Sequence, residues 1–187
     1  MSSSVHPTWE HTQSVLQRFI LDKKILDHCR STQEKALYIA QRVHPKVALD
    51  VDLIRVGALL HDIGRARVHD ITHGVVGGQI LEEQGFPSSV IRIVERHVLG
   101  GFTASEAELV GLPRRNFLPT SQEERIVCVA DKLGHFDWDG IQEPSKWSTK
   151  LQERFAGLRR HYGGGEPFET SMRRAEQYVA VLARLAL

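Results

Sequence analysis

Apolar residues recur at helical spacing along nearly the whole chain, and no stretch alternates with the two-residue period of a strand. After Thr8, a candidate N-cap, Val15, Leu16, Phe19 and Ile20 fall on one helical face. From Asp22 to about Val43 a longer pattern carries Ile25, Leu26, Cys29, Ala36, Leu37, Ala40 and Val43, and Pro45 ends it. The next segment, LIRVGALLHD, is apolar on nearly every side and is predicted to be central, with Asp52 as its cap and a left-handed Gly64 as its stop. HGVVGGQILEEQG predicts a helix stopped by Gly85, in which Gly77 and Gly78 imply that another backbone packs close. Pro87 suits the first turn of SSVIRIVERH. Residues 100–120 read as a long connection with a short helix near 106–110. A capping box of Ser121 and Glu124 then opens QEERIVCVADKLG.

The last third carries two more amphipathic stretches. Trp147, Leu151, Phe155 and Leu158 share one face, read as core packing or an oligomer face. After GGGEP at 163–167, Met172, Ala175, Tyr178, Val179, Leu182 and Leu185 share another. Neither a repeat nor a clear linker interrupts this series. The expectation is an all-α, single-domain helical bundle over 1–187, with its core in 22–136 and C-terminal helices in 141–187 whose role is open.

Composition narrows the function classes. A net charge of +1 gives no basic stripe for nucleic acid or for an anionic membrane surface. Two cysteines, Cys29 and Cys128, cannot build a disulfide framework and are read as small core residues in a reducing compartment. The N-terminal MSSSVHPTWEH lacks a secretory pattern, and no run reaches membrane-spanning length, so a cytoplasmic location is expected.

Histidine changes the picture. His61 and Asp62 end the most apolar helix, where leaving both buried and unpaired would cost several kcal/mol. His28 flanks the apolar stripe of an earlier helix, His73 opens a helix, His97 closes the following one, and Asp131 lies beside Val127 and Ala130. These six come from five helices, each at a core-facing edge or a terminus, the arrangement by which helical bundles build metal sites. Neighbours on a straight helix diverge by about 100°. His61 and Asp62 can therefore share one ion only if the helix end distorts.

The order His28, His61-Asp62, Asp131 resembles the H…HD…D pattern of the HD superfamily of metal-dependent phosphohydrolases, which are all-helical. HDIGR resembles the HDIG variant, with arginine at 65 where that string usually continues with lysine. The context of His28, ending in ALYIA, is also similar, and ITHGVVGGQIL and IVERH resemble the segments that supply two further histidines in binuclear members. The likeness spans roughly 22–136. It implies one ion held by His28, His61, Asp62 and Asp131, and a second held by His73 and His97 with Asp62 shared. The implied cofactor is two divalent transition-metal ions among manganese, iron, cobalt, nickel and zinc.

The implied reaction is hydrolysis of a nucleotide or other small phosphate ester by a metal-bridging hydroxide, since a bound cation lowers water's pKa from 15.7 to about 7. Asp62 is then the shared catalytic carboxylate. Arg65 is the first candidate to hold a phosphate oxygen, Lys132 the second, and His69 a candidate to protonate the leaving group. The expected partner is a small phosphorylated substrate, not nucleic acid or membrane, with self-association as a candidate role of the tail. Two other readings share the same residues: a di-iron oxygenase, and a non-catalytic sensing module on the same scaffold.

Overall fold

In the computed structural model of the chain, residues 7–133, 141–162 and 165–187 are described. Residues 163–164 of the predicted break and the 134–136 end of the predicted core fall outside them. Every regular element among the described residues is helical: α1 (Trp9–Phe19), α2 (Lys23–Val43), α3 (Val51–Leu60), α4 (His73–Glu83), α5 (Ser88–Arg96), α6 (Ala104–Leu109), α7 (Gln122–Leu133), α8 (Trp147–Tyr162) and α9 (Glu166–Ala186). Short 3-10 turns occupy Ile63–Ala66 and Pro144–Lys146. The all-α expectation holds.

Local chemistry sets the boundaries. Thr8 caps α1 as expected, its hydroxyl accepting from the His11 amide. Asp50, not Asp52, caps α3, because its carboxylate reaches the Leu53 amide, while Asp52 lies within the first turn of the helix and pairs with Arg55. Ser121 and Glu124 form the expected reciprocal cap: each side chain accepts from the other's amide.

The core has two lobes that share α3. One gathers Val15 and Leu16 of α1, Leu59 and Leu60 of α3, Ile80 and Leu81 of α4, and Val90 and Val94 of α5. The other joins Ile39 and Ala40 of α2, Ile54 and Ala58 of α3 and Ile126 and Val127 of α7 to Trp147, Leu151, Phe155, Met172, Val179 and Leu182 of the tail. The Trp147–Phe155 face is therefore packed inside the same chain, and all three of its largest residues are fully buried.

Gly64 corrects the sequence reading. Its backbone is not left-handed; it lies in the 3-10 turn, against the start of α4. A Cβ there would come within 1.9 Å of the His73 carbonyl oxygen and 2.6 Å of the Gly77 amide nitrogen. Bare backbone at Gly64 and Gly77 lets the turn after α3 sit directly on α4, as the glycine pair implied. The tail uses the same device at Gly100, where a Cβ would meet the Ser171 carbonyl oxygen at 2.1 Å. Ser171 accepts from the Gly100 amide and donates to the Gly101 carbonyl, so α9 is fastened to the loop that follows α5.

Candidate metal centre

The six residues singled out in the sequence converge. α2 supplies His28, the end of α3 supplies His61, the first residue of α4 is His73, His97 follows the last residue of α5, and Asp131 lies in the last turn of α7. Asp62 occupies the junction between α3 and the 3-10 turn, where its backbone leaves the helical region (φ −99°, ψ 15°). That distortion places Asp62 among the other ligands-to-be instead of a third of a turn away.

Asp62 stands in the middle, its two oxygens facing different sets. Oδ2 lies 3.7 Å from Nε2 of both His28 and His61. Asp131 Oδ1 completes that side, 3.0 Å from His28 Nε2 and 3.6 Å from His61 Nε2. Oδ1 of Asp62 faces the other way, 3.2 Å from His73 Nε2 and 3.5 Å from His97 Nε2. Two compact donor groups can be drawn, His28–His61–Asp131 and His61–Asp62–His97, with His73 beside the second.

Proton bookkeeping shows what this arrangement lacks. The Nδ1–H groups of His61, His73 and His97 donate to the carbonyls of Ala58, Asp70 and Val94, at 2.8, 2.6 and 2.6 Å. Each neutral ring therefore turns an Nε2 lone pair inward. His73 and His97 bring those nitrogens to 3.1 Å, and His61 and His28 bring theirs to 3.2 Å. Oδ1 of Asp62 is buried and has no hydrogen-bond partner. At the His73–His97 contact two lone pairs converge with no proton between them, an arrangement that calls for a cation. Donor atoms bound to one ion at about 2.1 Å lie roughly 3.0–3.4 Å apart, close to the separations seen. Four imidazoles and two carboxylates make a donor set that could hold a divalent transition metal.

Electrostatics keep His73, His97, Asp62 and Asp131 in their ligating forms. Burial, reinforced by the His97 charge, pushes His73 down to about 3, and burial also lowers His97. Burial alone would raise both carboxylates. The His61 and His97 imidazoles nevertheless hold Asp62 well below the usual range, and Lys132 and His28 do the same for Asp131. His61 is displaced upward, because Asp62 and Asp131 outweigh its burial. The cysteines are not ligands of the same kind. Burial raises the Cys29 thiol and pushes Cys128 up to about 11, with Cys128 donating to the Leu99 carbonyl.

A cavity of about 510 Å³ opens over these residues. Arg65 lines it, and its Nε donates to Asp62 Oδ2 at 2.6 Å. Lys132 lines it too but is buried, paired with Asp131 and donating to the His97 carbonyl. His69 is exposed and borders a smaller cleft of about 200 Å³, which shares Ile25 and Arg65 with the main cavity. Arg115, a loop residue that could have contacted phosphate, is bound to Glu95 and stacked on Phe117. The sequence reading missed Lys24 at the mouth and Arg154, Gly157 and Leu158 of α8 on the wall. Their spacing marks one helix face, but only the docking of α8 brings that face to the cavity. Leu99, also on the wall, has φ +52°, a left-handed conformation costing a non-glycine residue about 1–3 kcal/mol.

Known proteins share this framework. An uncharacterized protein of Methanocaldococcus jannaschii is 43% identical over 126 residues, 67% of this chain and 74% of that protein. A tRNA (cytidine(56)-2'-O)-methyltransferase of Thermoplasma volcanium is 40% identical over 64% of this chain, which spans only 34% of the enzyme. The HD domain of the Listeria monocytogenes phosphodiesterase PgpH, in complex with cyclic-di-AMP, superposes with a TM-score of 0.53 over 99% of this chain and 96% of that domain, at 14% identity. The HD-domain family model matches residues 25–134, from the first turn of α2 through α7, and includes all six converging residues. By its sequence and its fold, this chain belongs to the HD-domain family.

Proposed function

We propose that the protein is a metal-dependent phosphohydrolase that cleaves a small phosphate ester, with nucleotides as its substrate class. The observation that carries the reading is the two-sided exposure of Asp62, each oxygen facing its own set of imidazole lone pairs. His28, His61, Asp62 and Asp131 would hold one divalent ion, and His73, His97 and Asp62 the other. Such ions, when bound, supply Lewis acidity and a nucleophilic water at neutral pH.

The chain's own groups prepare the site. The three carbonyl-anchored Nδ1–H bonds fix imidazole tautomer and orientation. Arg65 pairs with Asp62 and holds its carboxylate in place, and Lys132 keeps Asp131 ionised while tying α7 to the end of α5. Four cations, Lys24, Arg65, Lys132 and Arg154, line the cavity and favour an anionic occupant. Arg65 is the contact for a phosphoryl oxygen nearest Asp62. His69, on the adjoining cleft, is placed to serve a leaving group that extends past Arg65. The names of similar proteins support phosphate-ester chemistry: a phosphodiesterase domain solved with cyclic-di-AMP, and ribonuclease Y of Acidothermus cellulolyticus, 31% identical over 40% of this chain and 15% of that protein.

The test uses protein stripped with a chelator and reloaded separately with manganese, iron, cobalt, nickel or zinc. A panel of phosphomonoesters, nucleotides and cyclic dinucleotides is assayed for cleavage. Metal-dependent cleavage that disappears in Asp62→Asn is expected. No cleavage of any member with any metal would overturn the reading, and iron-dependent oxygen uptake in its place would favour the oxygenase alternative.

A further inference from the structure

The cavity's cations are not equally matched. At the ligand end each has a carboxylate: Arg65 has Asp62, and Lys132 has Asp131. On the α8 wall Arg154 has none among the described residues. Its Nε is buried and without a hydrogen-bond partner, and no ion pair to it exists among the described residues. An unsatisfied buried donor costs about 1–3 kcal/mol, and more when it is charged. No carboxylate among the described residues offsets that cost, and an anion brought from outside would.

Space has been left for one. Arg154, Gly157 and Leu158 fall at i, i+3 and i+4 and form the strip of α8 that lines the cavity. Glycine in mid-helix costs about 1 kcal/mol relative to alanine. A Cβ at Gly157 would meet nothing nearer than Arg160 Nη2 at 3.9 Å, so any larger side chain would occupy the cavity. Lys24 adds an exposed ammonium at the mouth.

We propose that Arg154, supported by Lys24, binds a second phosphate of the substrate, so that the preferred substrate is a nucleotide carrying at least two phosphate groups. One phosphate lies at the Asp62 end and the other on the α8 wall, a span that a cavity of about 510 Å³ accommodates. The guanidinium fork matches two phosphate oxygens, which an ammonium does not. This inference rests on the proposed phosphohydrolase reading and adds to it a substrate class and a role for α8.

The experiment is calorimetric titration of the full-length, metal-loaded protein with AMP and with ADP. Binding of ADP at least about tenfold tighter than AMP is expected, a difference of about 1.4 kcal/mol. Arg154→Ala should erase that ratio, and Arg154→Lys should restore only part of it. AMP affinity and metal content should be unchanged and the melting temperature should not fall, since among the described residues Arg154 forms no ion pair and its Nε no hydrogen bond. With a two-phosphate substrate, Arg154→Ala should raise KM and spare kcat. An ADP-to-AMP ratio that is absent in the wild type, or unaltered in Arg154→Ala, overturns the inference while leaving the phosphohydrolase reading intact. Arg154-dependent discrimination without cleavage of any panel member would instead sink the phosphohydrolase reading and keep the binding role.

Discussion

Replacing Asp62 by asparagine preserves the shape of the side chain while removing its charge and one of its two acceptor oxygens. Each Asp62 oxygen faces a separate donor set, so this single change should weaken both ions together. An ion present at about 100 times its dissociation constant stabilises the fold by about 2.7 kcal/mol. For 187 residues, at about 2.1 cal/mol/K per residue, the unfolding entropy is about 0.4 kcal/mol/K. One ion should therefore raise the melting temperature by about 7 °C and two by about 14 °C. The assay is scanning calorimetry of wild type and Asp62→Asn, each with metal and with chelator, alongside elemental analysis. Comparing each protein with its own metal-free form removes the effect of the broken Arg65–Asp62 pair. Wild type should hold about two ions, and His73→Ala or His97→Ala should fall toward one. Asp62→Asn should hold almost none and shift by less than about 2 °C. Two ions and the full shift in Asp62→Asn would refute the shared-carboxylate arrangement.

The metal-free protein should lose stability in acid. His73 is held at about 3 against 6.5 in the unfolded chain, so between those values only the unfolded chain takes up the proton. Its contribution is whole above pH 6.5 and fades as pH falls toward 3, and His97, also lowered, acts alike. Asp62 and Asp131 contribute above about pH 3.8 and lose that contribution as pH falls through their lower folded values. His61 opposes the trend, since its contribution is present below pH 6.5 and lost as pH rises through its raised value. Urea midpoints at pH 7, 5.5 and 4 should decline in that order, and a flat or rising series would contradict the buried neutral imidazoles. Gly64→Ala forces a methyl group onto the His73 and Gly77 backbones; a loss of about 3 kcal/mol or more is expected, together with impaired metal uptake, and a neutral result would contradict the close approach. Phe155→Ala should cost about 3–5 kcal/mol by urea denaturation, because the side chain is fully buried against the core. A loss below about 1 kcal/mol would show that the tail does not complete that core.

Periodicity alone was enough to identify α1, α2, α4, α5, α7 and the two tail helices, because each buries one stripe of apolar residues and local spacing records which stripe. The candidate ligands were legible for a related reason: His61 and Asp62 interrupt an apolar run, and a buried polar pair is conspicuous without a partner. Caps were read less reliably. Asp50 and Asp52 both have the right chemistry, and only the turn geometry decided that Asp50 reaches the Leu53 amide.

What the chain's residues determine by themselves is which side chains are polar in apolar surroundings, and hence which must find partners. Which partners they find depends on contacts between residues far apart in sequence, and those belong to the packed structure. His28 meets Asp131 across 103 positions, and Asp62 turns its two oxygens to opposite sides only because the helix end breaks there. Arg154 carries no local mark at all. It became a cavity residue when Trp147, Leu151 and Phe155 on the neighbouring stripe of α8 were drawn into the core. Burial of that stripe sets the rotation of the helix, and the rotation leaves the Arg154 guanidinium on the wall of the cavity that Asp62 also lines, without a carboxylate partner among the described residues.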